Sequence, residues 1–104
     1  MSIYLLRLSH YILLINWTHQ GISKIKESYD RYDSFKASVE KAGGKLIGGY
    51  LTFGEYDYVI IIEASNDEAV MSLVLKVGSY GNVKTKTLKA FTAGEGREII
   101  KDLP

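Results

Sequence analysis

Two short, nearly unbroken apolar runs constrain this chain more than any other feature. They are His10–Trp17 (HYILLINW) and Tyr58–Ala64 (YVIIIEA). Runs of this length, rich in isoleucine and aromatic residues, predict β-strands that carry apolar side chains on both faces. Such strands belong at the centre of a sheet. Any fold of this chain must therefore cover both faces of two central strands.

A helical period follows the first run. Thr18 offers an N-cap oxygen, and Gly43-Gly44 supplies a left-handed stop. The pattern allows a break into a short and a long piece near Ser28–Asp30. Between cap and stop, apolar residues recur at spacings of three and four and so indicate one buried helix face: Ile22, Ile25, Tyr29, Tyr32, Phe35, Val39 and Ala42.

The two remaining predicted strands are less apolar. Lys45–Phe53 (KLIGGYLTF) contains Gly48-Gly49, a pair that indicates a bulge or a close approach to the backbone. Asn82–Thr92 (NVKTKTLKAFT) alternates lysine with valine and threonine, the pattern of a strand with one solvated face. Both are therefore expected at the edges of the sheet.

A second helix is predicted after the second apolar run. Ser65 and Glu68 have the spacing of a capping box, and Gly78 marks the end of the helix. The residues from Gly94 to Leu103 predict a short C-terminal helix. The buried face of the second helix is indicated by apolar residues at helical spacing: Val70, Leu73, Val74 and Val77.

The predicted order β-α-β-β-α-β specifies an architecture. Right-handed crossovers place both helices on one face of a four-stranded antiparallel sheet, with the first and third strands in the centre. This is a ferredoxin-like α+β fold. The opposite face is then apolar and uncovered, and soluble monomers rarely expose such a patch. We expect a homodimer, the alternative being that residues 1–9 or the C-terminal segment fold across that face.

Length and composition add further limits. The 104 residues predict one domain over 10–104, with residues 1–9 as an N-terminal extension. The lack of cysteine excludes a disulfide framework and thiolate metal sites. Arg7 and His10 interrupt an N-terminal stretch that is too short to span a membrane. Because cysteine is absent, we expect a cytoplasmic protein. With a net charge of +1, we expect no membrane or nucleic-acid partner.

Several glycine-containing motifs resemble those of the GYD domain family. The resemblance covers roughly Tyr11 to Phe91. It implies a ferredoxin-like fold of the dimeric α/β-barrel type, and it leaves function open because the family implies no established activity. The motifs that carry it are Trp17-Thr18 with Gly21, Gly43-Gly44-Lys45, Gly54-Glu55-Tyr56-Asp57, and Gly78 to Val83 running into Thr85 to Phe91.

Six residues are candidates for binding a small molecule, and each has a structural alternative. Trp17 and Tyr50 could line a pocket, although aromatic residues more often pack in a core. Arg31 could hold a carboxylate through two parallel hydrogen bonds, or it could be a solvated surface arginine. Tyr56 and Asp57 could contact a ligand or act as an acid/base pair, or could serve only the turn that contains them.

Glu63 is the sixth candidate. It lies late in an apolar strand, and a carboxylate held in an apolar layer has a raised pKa suited to proton transfer. The structural alternative is a polar residue leaving the core at the end of a strand. Arg31, Lys45 and Asn16 are the partners considered for it.

The sequence assigns no catalytic residue, cofactor or metal. His10 and His19 have no carboxylate at ligand-like spacing, and no nucleotide-binding or Ser/His/Asp motif is present. Two functions stay open: a homodimeric domain that binds a small molecule in a regulatory or sensing role, or a cofactor-independent isomerase or monooxygenase for a small aromatic or carbonyl compound. A closed pocket with a buried carboxylate, Glu63 or Asp57, would favour the enzyme.

Overall fold

The computed structural model describes residues 8–104. All but the last two residues of the predicted extension, 1–9, lie outside this range. The order of the elements confirms the ferredoxin-like prediction, with a C-terminal helix added: β1 (Ser9–Trp17), α1 (His19–Ser23), a short 3-10 helix (Ile25–Glu27), α2 (Ser28–Lys41), β2 (Lys45–Leu51), β3 (Tyr58–Ala64), α3 (Asp67–Ser79), β4 (Val83–Ala90) and α4 (Ala93–Lys101).

The sheet is antiparallel, with the strand order β2-β3-β1-β4. The two doubly apolar strands, β1 and β3, therefore lie in the centre as predicted. Alternate residues of each strand point to opposite faces. The side chains that face the helices form the core, together with residues of α2 and α3: Tyr11, Leu13, Ile15, Ile60, Ile62, Ala64, Val39, Val70 and Leu73.

The first helical segment is broken, as its sequence allowed. Thr18 caps α1 by accepting a hydrogen bond from the Gly21 N–H at 3.1 Å. The chain then passes through the 3-10 helix before α2 begins at Ser28, so the break lies just before the predicted position. Gly43 follows the end of α2 with a φ of 85°, a left-handed conformation that glycine adopts without steric cost.

Two local predictions need correction. The N-cap of α3 is Asn66, whose Oδ1 accepts from the Ala69 N–H at 2.8 Å, so the capping box predicted at Ser65 is wrong. Asn66 takes this role because its backbone is extended immediately before the helix. The bulge in β2 lies between Leu46 and Gly48, one residue earlier than predicted.

The second face of the sheet, here called the open face, has no helix against it. Its centre is formed by Ile12 and Leu14 of β1, which lie opposite Ile61 and Val59 of β3. All four are half-buried rather than buried. Helix α4 buries none of its residues, and Ile100 within it is 67% exposed. Within residues 8–104, the open face is thus an apolar surface without a helix against it, and α4 leaves Ile99 and Ile100 exposed.

Gly21 lies where α1 packs closely against the loop before β4. The Thr18 N–H donates to the Asn82 carbonyl oxygen at 3.0 Å, and a Cβ on Gly21 would lie only 1.9 Å from that oxygen. We expect Gly21→Ala to lower the free energy of unfolding by about 1–3 kcal/mol, because a backbone atom cannot move aside cheaply. Urea denaturation measures this.

Gly78→Ala is the matched control for that substitution. Nothing lies within 4 Å of a Cβ at this helical position. Alanine there should leave the stability unchanged or raise it by up to about 1 kcal/mol, since it restricts the unfolded chain. Equal effects of the two substitutions would contradict the close packing of α1 on the loop.

Candidate functional site

A pocket of about 630 Å³ lies between α2, α3 and the face of the sheet that the helices cover. Leu13, Ile15 and Ile60 of the central strands form its floor, and Val74 and Val77 of α3 form part of one wall. Its volume is within the range of about 300–1,000 Å³ that is typical of small-molecule sites. We call it the helix-side pocket.

Aromatic side chains dominate the helix-side pocket. Tyr29, Tyr32 and Tyr58 contact one another edge to face, with ring centroids 5.9–6.2 Å apart. Tyr32 fits there because β2 has a glycine beneath it: a Cβ on Gly49 would lie 2.5 Å from the Tyr32 ring. The glycine pair that predicted a close approach therefore shapes this wall.

The Tyr58 phenol of this cluster is neutral at physiological pH. Burial raises the pKa of Tyr58 well above its usual value, and its hydrogen bond with Tyr29 adds to the shift. The Tyr58 hydroxyl lies 3.5 Å from the Tyr29 hydroxyl. A neutral phenol can donate as well as accept a hydrogen bond, so the cluster offers both functions to a bound molecule.

Arg31 contributes a positive charge to the pocket from α2, and Lys24 and Lys76 also line it. Arg31 Nη1 donates to the Lys24 carbonyl oxygen at 3.3 Å. Its Nη2 is buried and has no hydrogen-bond partner in residues 8–104, and the described chain offers Arg31 no ion pair. Buried donors of this kind are rare in folded proteins, because an unmade hydrogen bond is costly.

The structure brings two of the six candidate residues together. Trp17, at the end of β1, and Arg31 both line the helix-side pocket. The other candidates, Tyr50, Tyr56, Asp57 and Glu63, do not line it. The pocket also contains Tyr29 and Tyr32, which the helical period assigned only to a buried face. Tyrosine repeated on such a face is a signal for a partly polar cavity, because its hydroxyl needs a partner when buried.

Asp57 stabilises the turn that contains it. Its Oδ2 accepts hydrogen bonds from the Trp17 N–H at 2.9 Å and from the Asn16 side-chain amide at 3.3 Å. The Asn16 amide also donates to the Glu55 carbonyl oxygen at 2.9 Å. This turn therefore ties the β2–β3 connection to the end of β1, and the carboxylate is engaged by the protein itself.

Glu63 and Tyr50 lie on the open face. The Glu63 carboxylate is 3.2 Å from Nε2 of His10, its cross-strand neighbour. None of the three partners considered from the sequence forms this contact. Tyr50 lies opposite Val59 and is 57% exposed. Tyr56 has the Lys86 ammonium 5.7 Å from its ring centroid.

A smaller polar cluster lies at the start of α3. The Tyr11 hydroxyl donates to Asp67 Oδ1, and the Lys89 ammonium lies 3.0 Å from the same oxygen. Burial, followed by the Asp67 contact, raises the pKa of Tyr11 to about 12. The Tyr11 and Lys89 hydrogen bonds lower the pKa of Asp67. Each polar group here has a partner, so the cluster joins α3 to the sheet.

Residues 8–104 contain neither a metal-binding cluster nor a helix that could span a membrane. Histidine and carboxylate side chains nowhere form a group of three or more that could hold a metal ion. In the same part of the chain, every helix is too short or too polar to cross a membrane.

Comparison with known proteins places this geometry in context. The family model described as the GYD domain matches residues 11–100. A relative from Thermus thermophilus, named "Glutamine synthetase and cystathionine beta-lyase binding protein", is 28% identical over 86 residues, which are 82% of this chain and 90% of the relative. A crystal structure of MtbAldR superimposes with a TM-score of 0.59 at 15% identity and shows likeness of fold alone. The alignment covers 88% of this chain but only 58% of MtbAldR.

The role found for Asp57 can be tested by stability. Asp57→Ala should lower the free energy of unfolding by about 1–3 kcal/mol, because the Trp17 N–H and the Asn16 amide lose their acceptor. Asp33→Ala is the matched control. Asp33 is exposed on α2, and its replacement should change stability by no more than about 0.5 kcal/mol. If the two variants are equally stable, the hydrogen bonds to Asp57 do not stabilise the turn.

Proposed function

This chain belongs to the GYD domain family, and on that premise we propose that it is a regulatory or sensing protein that binds a small molecule in the helix-side pocket. The size and lining of the pocket carry this proposal. A volume of about 630 Å³ accommodates a metabolite. An apolar, aromatic wall with a few charged groups is the usual composition of a site that binds and orients a ligand.

The positions of the carboxylates favour binding over catalysis. No carboxylate of the described chain is buried, and the two that line the pocket, Glu27 and Asp30, are exposed. Of the two candidate bases, Asp57 accepts hydrogen bonds from the end of β1, and Glu63 is paired with His10 on the opposite face of the sheet. A cofactor-independent enzyme would place a carboxylate with a raised pKa inside its pocket. We therefore favour the binding role over that alternative.

The comparisons support the same role. The relative from Thermus thermophilus is named for the two enzymes that it binds rather than for a reaction. We extend this to the present chain as a proposal that it works by binding and that a partner protein responds to its ligand. The lack of cysteine fits a reducing compartment, and a cytosolic location is part of the proposal.

We also propose that the protein is a homodimer formed through the open face. Ile12, Leu14, Val59 and Ile61 form a continuous apolar centre across β1 and β3. His10 and Glu63 at one end of these strands, together with Lys86 beside Leu14, form a polar border. An apolar core with a polar rim is the usual composition of a protein interface. Two copies of one face satisfy twofold symmetry, so a second copy is the occupant we propose.

Ligand binding is tested by filling the pocket. N-phenylnaphthylamine, a neutral dye that fluoresces in apolar surroundings, should bind the native protein. Ser38 lines the pocket, and Ser38→Phe should weaken dye binding at least about tenfold by occupying the space. Ser72→Phe adds the same ring to an exposed position of α3 outside the pocket, so it should bind the dye as the native protein does. If both variants bind the dye as the native protein does, the dye binds outside the pocket and the proposal is contradicted.

The dimer is tested by charge on the open face. Leu88 of β4 lies opposite Ile12 and is 49% exposed. Leu88→Glu should convert a dimer to a monomer in sedimentation velocity at micromolar concentration, because the interface would bury a carboxylate without a partner. Leu75→Glu, at a 64% exposed position of α3, should stay dimeric. A native protein that sediments as a monomer would refute the dimer.

A further inference from the structure

We propose that the helix-side pocket binds an aromatic carboxylate and that its carboxylate group is held by Arg31. This inference rests on the proposed function and deepens it by naming the chemical class of the ligand. It depends on three features of the pocket: an arginine with a free donor, a near balance of charge, and a predominantly aromatic wall.

Arg31 provides the donor. One guanidinium nitrogen makes a single long contact with the Lys24 carbonyl oxygen, and the other is buried without an acceptor in residues 8–104. A guanidinium is always charged and presents its N–H groups as a planar fork that matches the two oxygens of a carboxylate. Arg31 lines the pocket, so its guanidinium can meet a carboxylate that binds there.

The charges around Arg31 select an anion of low charge. Lys24 and Lys76 also line the pocket, and the acidic residues Glu27 and Asp30 line it as well. The sum of these five groups is a single positive charge. A carboxylate neutralises it, whereas a phosphate ester brings close to two negative charges near Glu27 and Asp30. The electrostatic balance therefore favours a carboxylate over a phosphate.

The aromatic wall of the pocket favours a ligand that contains an aromatic ring. Flat rings bind well against aromatic side chains, in stacked or edge-to-face geometry. The tyrosine cluster already shows the edge-to-face arrangement at centroid distances of 5.9–6.2 Å. Six aromatic residues line this pocket: Trp17, Tyr29, Tyr32, Phe35, Tyr58 and Tyr80.

A matched pair of small probes tests this. Phenylpropionate should displace N-phenylnaphthylamine from the native protein and should change the fluorescence of Trp17, the only tryptophan of the chain. The uncharged phenylpropionamide should bind at least about tenfold more weakly, since it cannot form a charge-assisted pair with Arg31. Phenylalanine, which adds an ammonium group, shows whether Glu27 and Asp30 also contribute to binding. Tighter binding of phenylpropionate than of the amide supports the proposal.

Variants of Arg31 locate the effect. Arg31→Gln should abolish the preference for acid over amide while leaving dye binding intact, and Arg31→Lys should keep part of the preference, because it retains the charge without the fork. Arg97→Gln is the matched control: Arg97 is exposed on α4, outside the pocket, and its loss should change neither binding constant.

The melting temperature separates a binding role from a structural one. Since Nη2 has no partner in the described chain, Arg31→Met should melt at the same temperature as the native protein or higher, while losing the preference for the acid. A marked fall in melting temperature would make Arg31 a structural residue and overturn the inference. If the dye binds but the native protein binds acid and amide with equal affinity, the inference is also overturned. If the dye does not bind at all, the proposed function of the pocket is refuted.

Discussion

The pairing of β1 with β3 is the interaction on which the rest of this structure depends. Each strand is apolar on both faces, so a single register serves two surfaces at once. Leu13 and Ile62, which are 2% and 0% exposed, lie at the centre of the core beneath the helices. Ile12 and Ile61, one residue away on each strand, form the centre of the open face. A slip of one residue would exchange the two surfaces.

The same strand connects the core to the helix-side pocket. β1 ends at Trp17, whose N–H is held by Asp57, while the next N–H, of Thr18, is held by Asn82. Two loops thus fix the end of the strand, which forms part of the floor of the pocket. Rigid elements of this kind are the better support for a binding site. In the function that we propose, one face of the sheet binds the ligand and the other face forms the dimer.

The fate of the six candidate residues shows what sequence patterns can reveal about a site. Trp17 and Arg31 were chosen for their chemistry, and both line the pocket. Asp57 and Glu63 were chosen because a carboxylate near an apolar strand suggests a raised pKa, but each has a partner in the described chain. The His10–Glu63 contact follows from antiparallel register, which pairs residues 53 positions apart. Composition and periodicity contain no information on register, so this partner was missed.

The sequence by itself determined the order of the elements and the two central strands, because these follow from the local period and the length of the apolar runs. The tertiary structure decided which face of each central strand packs against the helices, since both faces are apolar. Helix caps were less predictable: Asn66 and Ser65 are both good capping residues, and only the backbone angles decide between them. The tertiary structure alone decided that α2 and α3 leave a pocket between them and that Arg31, which lines it, has a buried nitrogen without a partner in residues 8–104. The physical reason is that cavity volume and hydrogen-bond satisfaction depend on the distances between whole elements, which no local pattern specifies.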